Sequence, residues 1–551
     1  MRQLNLACTT EARANKCSRR LIPKIILVSL LAGLSPRVAA QTPRLVWAKT
    51  LGGPGDQWGL SVAISRDRNF YVSGGLNSTA TIGTYPLMSL GGQDAFVAKL
   101  TDDGDIVWAR SFGGEGDDYG ATVAADTLGR VYFAMNAGGP MAIENDTLDW
   151  GMVIAGCGVD GSTRWVHQPA ASVGKLPGWV SDIAIGPRDG LTVVGSVYYE
   201  ASFGQFNVTS SGGSDILVAK YNFDGMPHYG VRAGSAGMDD AGLSVAVDPA
   251  GDTYVLGMAA GSFGGMNDQC PVTTKNFATF VGKLNPDAGA EWGFCIINPD
   301  LIGPEAYDVE TDTGGNVYIV GSIKGAIGEA GTPLLEDPAQ HAVLAKFDTH
   351  GRLVWAVPNE NGTGMSITID SFGNVHIMKS LASGGGALKG FNEDGEELYS
   401  LESGVSGFLA ADRNGSIYLI GTLIGATTID GTTLTSAGGP DVFLAKFDVS
   451  RVGTPNESEL GLPNAVILQG NYPNPFTLST TISFTIPFSG DIDLRVYDVL
   501  GREVARLMDG FLTAGTHKLA WNASGFPGGV YVYRLSVDRR SVQSGRTVLL
   551  R

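Results

Sequence analysis

Cysteine, histidine and charge are all scarce in this sequence. Five cysteines and six histidines stand among 551 residues, and 17% of residues are charged. Cys8 and Cys17 lie in the first forty residues, which leaves Cys157, Cys270 and Cys295, with no zinc-ligand spacing among them. Cys270 and Cys295 share one stretch of the chain, and an oxidising compartment would let them pair. His167, His228, His341, His350, His376 and His517 form neither H-x-x-x-H nor H-E-x-x-H, and no G-x-S-x-G elbow occurs. Positive charge is in deficit, with 38 Lys and Arg against 55 Asp and Glu. A surface of that sign repels nucleic acid and anionic membranes. No apolar run is long enough to span a bilayer as a helix, and no long 3.6-residue periodicity appears after the first forty residues.

Glycine is abundant instead. Its 78 residues are about twice the usual share of roughly 7%, which favours short strands and turns and an all-β chain. The beginning reads as an export signal: Arg19, Arg20 and Lys24 precede the apolar run 25–34, and Val38-Ala39-Ala40 offers cleavage between Ala40 and Gln41. Losing residues 1–40 removes seven basic residues and one acidic residue, taking the formal charge from −17 to −23.

Residues 94–114, DAFVAKLTDDGDIVWARSFGG, return as DILVAKYNFDGMPHYGVRAG, ATFVGKLNPDAGAEWGFC, HAVLAKFDTHGRLVWAV and DVFLAKFDVS. Each copy is a short strand, an Asp/Gly turn and a second strand with an aromatic residue. A second phrase, typified by SVAVDPAGDTYVLG, lies between copies. Aligned on the strand after its turn, the copies fall at Tyr71, Tyr132, Thr192, Tyr254, Tyr318, His376 and Tyr418. Fixed-period self-similarity of four short strands predicts a β-propeller with one blade per copy. In the first copy the strands are a (61–65), b (70–74), c (95–100) and d (106–110). The seventh copy stops after strand c, whereas residues 45–49, LVWAK, match the d strand IVWAR of 106–110. The expectation is a seven-bladed propeller over 43–450, closed by the N-terminal strand so that no blade keeps an open edge. The phrase GG-x-D before strand c (Gly91, Gly212 and Gly438 begin its three clear copies), then VAK and D-G-x-x-x-W, resembles the bacterial SBBP β-propeller repeats. That resemblance implies an architecture and no particular activity. The D-G-x-x-x-W phrase also resembles blades of quinone-dependent dehydrogenases, but their eight blades and cofactor pocket have no counterpart here, and the aromatic residues read as packing between blades.

A polar linker follows at 451–464, and the pattern changes over 465–551. Strands are predicted at 480–486, 491–498, 516–521 and 529–537, as a small β-sandwich. Asn471, Pro473, Asn474, Pro475 and Phe476, then Gly501 in LRVYDVLGREV, Gly529 and Tyr531 in GGVYVYRL, and the terminal Arg551 resemble the type A C-terminal sorting domain of the type IX secretion system. The resemblance implies an immunoglobulin-like fold, passage through the periplasm, recognition by the type IX machinery, and release or attachment at the cell surface. An ordinary Ig-like stalk is the alternative.

Asp56, Asp117 and Asp239 recur in Asp-x-x-Gly between one copy and the next and are the candidates for a cation site, since oxygen ligands suit calcium, whereas the Asp102-Asp103-Gly104-Asp105 run lacks the full ligand set of an EF-hand and reads as a hairpin turn. Turn formation is the competing role. Nothing else identifies itself as catalytic or cofactor-binding. The sequence therefore suggests a monomeric, cofactor-free secreted or surface scaffold that binds an extracellular protein or glycan. The alternative is a polysaccharide hydrolase or lyase, with paired carboxylates in the central funnel. Insertions between strands b and c, at 76–92, 258–275 and 323–340, are binding candidates because loops carry function on rigid scaffolds.

Overall fold

In the computed structural model the described residues are 42–172, 174–186, 190–234, 239–259, 278–296, 306–324, 341–358, 362–382, 384–450, 452, 466–486, 490–512, 515–537 and 540–550. Every named element among them is a β-strand. The leader, with Ala40 and Gln41, the terminal Arg551, and most of the insertions at 258–275 and 323–340 lie outside the described residues.

Seven four-stranded antiparallel sheets occupy 44–448. Their first strands are Gln57–Ile64, Tyr119–Ala125, Gly178–Gly186, Ala241–Val247, Ala306–Thr311, Thr363–Ile369 and Gly407–Ala411. Each first strand touches that of the next sheet, and Gly407–Ala411 touches Gln57–Ile64. The arrangement is propeller-like. In the seventh sheet the outer position is filled by Arg44–Leu51, which pairs antiparallel with Asp441–Asp448 from Arg44 opposite Asp448 to Leu51 opposite Val442.

The middle two strands of a sheet are covered on both faces by neighbouring sheets, so they are mostly apolar and buried along their length instead of alternating. Val131–Ala137, Gly151–Cys157 and Asp215–Tyr221 are buried at every residue. Inner and outer strands, such as Gly178–Gly186 and Thr163–His167, are only partly covered. The turn between the first two strands repeats one device. Asp126, Asp248, Asp312, Asp370 and Asp412 each accept the backbone N–H groups two and four residues on. Tyr132, Tyr254 and Tyr318 reach the same carboxylates from the second strand, at 3.2, 3.2 and 3.1 Å. His376 stands in that position in the sixth sheet, 3.0 Å from Asp370 and 2.8 Å from the Tyr399 hydroxyl. The histidine is a buried structural group.

Adjacent sheets are joined by tryptophan. Trp47, Trp108, Trp165, Trp292 and Trp355 each donate their indole N–H to a carbonyl in the third-to-fourth-strand turn of the next sheet. The ring then lies on the glycine of that turn. A Cβ added at Gly161 would be 2.9 Å from the Trp108 ring, and one at Gly104 3.1 Å from that of Trp47. Those glycines also have φ of +82° and +75°, so both backbone conformation and space exclude a side chain.

The insertion at 76–92 extends the second and third strands into one long hairpin, with Thr79 opposite Met88 and Ile82 opposite Tyr85. Cys157 is free and buried, and burial pushes its thiol up to about 11. Cys295 is disulfide-bonded, while Cys270 lies outside the described residues.

The C-terminal region forms a three-stranded and a four-stranded sheet over one apolar core containing Phe476, Phe484, Leu494, Trp521 and Tyr533. Its Asn-Tyr-Pro-Asn-Pro-Phe stretch at 471–476 holds the last strand, Arg540–Leu549. Asn474 takes the Val548 N–H at 2.9 Å and donates to the Arg546 carbonyl at 3.0 Å. Asn471 donates to the Thr547 hydroxyl at 2.7 Å. Phe476 exchanges backbone bonds with Val548 and Leu550 and is buried beside Trp521. Gly501 closes the turn that Asp498 caps. Pro473 accepts from the Thr480 hydroxyl, Gly529 begins a strand, and Tyr531 donates to the Pro527 carbonyl at 2.7 Å.

Candidate functional site

The first strands of all seven sheets are linked through side chains, near a bulge that recurs in six of them. Ser61 accepts the Val123 N–H, and Thr122 donates to Asp182 at 3.1 Å. The Ser244 hydroxyl stands between two carboxylates, 2.9 Å from Asp182 and 2.8 Å from Asp308. Asp182 also takes the Val245 N–H, Asp308 the Ile367 N–H, and Ser366 the Leu409 N–H. Equivalent residues are thus neighbours from sheet to sheet, which puts the beginnings of all these strands at one end. A single hydroxyl proton cannot serve both Asp182 and Asp308, so the arrangement calls for a proton on one acid. Burial, then the charge of Asp182, pushes Asp308 up to about 7. Burial, then Asp308, pushes Glu310 up to about 7 as well. The sequence did not single out these acids, because Ser, Thr and Asp alternate at the position from copy to copy.

Aromatic residues gather at the end where the first strands begin. Trp58, Tyr119 and Trp179 are partly or fully exposed there on the first three sheets, with the Tyr119 and Trp179 rings 5.3 Å apart. At the same end a cleft of about 1430 Å3 runs between the second, third and fourth sheets, with Trp150, Tyr198, Tyr199, Lys175 and Asp239 among its walls. Trp150 is 55% and Tyr199 53% exposed. Burial, then the nearby Asp239 charge, raises the Tyr198 phenol above its usual range.

The three Asp-x-x-Gly carboxylates reach three different loops. Asp117 accepts the Gln93 N–H at 3.0 Å and Asp239 the Ser214 N–H at 2.9 Å, each in the GG-x-D loop of the preceding sheet. Asp56 is bonded to Asn77 and faces Gly439 of the seventh sheet. Among the described residues no group of three His, Cys, Asp or Glu side chains is placed to hold a metal ion. No helix among them is long and apolar enough to cross a membrane.

Against solved structures the chain is similar to the Dos1 propeller at 7% identity, covering 74% of this chain and 95% of that one, with a TM-score of 0.40. It is similar to PorZ, a surface component of the type IX secretion system of Porphyromonas gingivalis, at 11% identity, 93% and 87% coverage and a TM-score of 0.27. A gluconolactonase from Xanthomonas campestris, XC5397, gives 14%, 62% and 93%, and 0.30. No curated protein matches the chain. Residues 471–548 match the secretion system C-terminal sorting domain, which marks the chain for export through the type IX system to the cell surface or the medium.

Proposed function

We propose that this chain is an exported binding scaffold that performs no catalysis. In this reading residues 1–40 are a signal peptide and 43–450 a seven-bladed propeller of SBBP-type repeats closed by its N-terminal strand. A linker over 451–464 leads to an Ig-like sorting domain over 465–551, in which Asn471, Asn474 and Phe476 keep the last strand in place for the secretion machinery. The observation that carries the reading is a contrast within the propeller region. The inner carboxylates Asp182 and Asp308 are occupied in linking sheets, whereas aromatic rings at one end are left exposed. Exposed aromatic surface with a few polar groups is the chemistry of recognition. The test incubates the purified mature protein with cell-free extracellular matrix from the producing culture. Saturable retention without release of new reducing ends is expected; absence of retention overturns the proposal.

One observation favours a second reading, hydrolysis or lysis of a polysaccharide. Burial pushes Asp308 and Glu310 up to about 7, where a general acid is most effective. Release of oligosaccharides from the same matrix, abolished by Glu310→Gln, would establish it.

A further inference from the structure

The cleft between the second, third and fourth sheets has features that no repeat position requires. Trp150 stands on a fixed base. Gln168 accepts the Asp149 N–H at 2.8 Å and donates to the Asp149 carbonyl at 2.7 Å, while the Asp149 carboxylate takes the Trp150 N–H at 2.9 Å. Tyr199 is likewise anchored, its carbonyl accepting the Ser210 N–H at 2.8 Å. Both backbones are held while both rings stay more than half exposed, and a large apolar group left in water on a rigid base is a recognition signal. Polar groups stand beside the rings. The Lys175 ammonium lies 4.2 Å from the Tyr199 ring centre, and Tyr198 shares the wall with Asp239. One oxygen of Asp239 is used by Ser214; a carboxylate has further acceptor sites to offer.

We infer that this cleft binds a neutral glycan, stacking the C–H face of one sugar ring on Trp150 and of another on Tyr199, while Asp239, Tyr198 and Lys175 take hydroxyl groups. The occupant follows from the charges. Asp149, Asp239 and Asp240 outnumber Lys175 around the cleft, and the chain as a whole is strongly acidic, so a sulfated or uronic-acid polymer is repelled. A purely apolar ligand would leave Lys175 and Asp239 desolvated without partners. The inference rests on the binding-scaffold reading and gives it a ligand class.

The full mature protein is titrated with β-linked tetrasaccharides of N-acetylglucosamine, glucose, xylose and mannose, and with heparin as the polyanion. Indole fluorescence and calorimetry are the readouts. Saturable binding of at least one neutral tetrasaccharide is expected. Trp150→Ala and Tyr199→Ala should each weaken it about tenfold or more. Trp150→Phe should keep most of it, and Leu128→Ala, an exposed residue elsewhere, should change nothing. Unaltered affinity in both alanine variants, a preference for heparin, or no binding of any neutral sugar overturns the glycan site. The matrix assay separates the two levels. Retention that survives periodate oxidation of the matrix but not its proteolysis keeps the scaffold and removes the glycan, whereas no retention at all removes both.

Discussion

The junction between the seventh and first sheets, where the strand nearest the N-terminus completes a sheet, differs from the junction between the first and second by very little. In both, a tryptophan lies on the next sheet's turn glycine: Trp47 on Gly104, and Trp108 on Gly161. In both, the Asp of GG-x-D lies in the third strand and is buried beside the end of the outer strand, as Asp441 and Asp94. Asp441 takes the Ala437 N–H and Asp94 the Leu90 N–H, each with its other oxygen unpartnered. The difference is the neighbour. At the first junction an Asp441 oxygen and the Gln57 amide oxygen both come within 2.6 Å of a Cβ placed on Gly52, and the Gln57 amide nitrogen has no hydrogen-bond partner. At the second, the equivalent residue is Asp118, which takes the Gly114 and Gly138 N–H groups. An amide beside a carboxylate supplies a donor at any pH, whereas two carboxylates supply one only by holding a proton. The comparison teaches that the repeat tolerates either solution in the same space, at different costs in pH sensitivity.

The shared part of the two junctions carries the largest expected effect. Trp108 is 8% exposed, and Trp108→Ala should cost about 3–5 kcal/mol by loss of burial and the cavity left behind. Trp47 is less covered, so Trp47→Ala should fall toward the lower end, about 3 kcal/mol. Urea midpoints of the two variants decide this. A Trp47→Ala loss below about 1 kcal/mol would mean that the N-terminal strand contributes little to holding the sheets together.

The part that differs should appear in the pH profile. Burial, then the Asp118 charge, pushes Asp94 up to about 6, above the ordinary carboxylate value of about 3.9. A carboxyl whose pKa is raised by folding contributes its full stability below the unfolded value and loses it as pH rises through the folded one. The loss therefore falls between about pH 4 and pH 7, and for a shift of roughly two units its ceiling is about 3 kcal/mol. Asp94→Asn gives this junction the amide and carboxylate of the other. It should raise the urea midpoint at pH 7.5, leave it little changed at pH 4.5, and flatten the profile between. An unchanged slope in the variant would show that no proton is held there.

These contacts also explain what the sequence could and could not reveal. The all-β character was legible because Asp/Gly turns and buried strand phrases recur, and the match of 45–49 to 106–110 anticipated the pairing of Arg44–Leu51 with Asp441–Asp448. D-G-x-x-x-W was legible as a phrase, but its glycine and tryptophan do not serve each other. Gly104 takes Trp47 from the copy before, and Trp108 takes Gly161 in the copy after, a relation that one copy cannot display. The aromatic cleft was hidden for the opposite reason. Trp150, Tyr198 and Tyr199 stand where the first copy has Gln93, Asn77 and Ser78, so alignment of the repeats shows no shared aromatic phrase there. Of the three insertions singled out, 76–92 became a hairpin.

The smallest expected effect tests the pairing of tryptophan with glycine from its exception. At the junction of the third and fourth sheets the outer strand carries Tyr229, and the turn that follows in the fourth sheet has Ala288 at a φ of +66°, among the partly covered residues packed against the buried cluster that contains Tyr229. With no indole lying on the turn, a methyl group fits, and only the left-handed backbone opposes it, by about 1–2 kcal/mol. Ala288→Gly removes that strain but gives the unfolded chain more freedom, worth about 0.4–1 kcal/mol in the other direction. The net change should be a stabilisation of about 0–1.6 kcal/mol, read as a small rise in urea midpoint. Gly161→Ala, beneath Trp108, imposes the same backbone strain and adds the 2.9 Å clash, so it should destabilise clearly. If Gly161→Ala were no more harmful than restoring alanine to an Ala288→Gly protein, space beneath the tryptophan would not be what selects glycine at these turns.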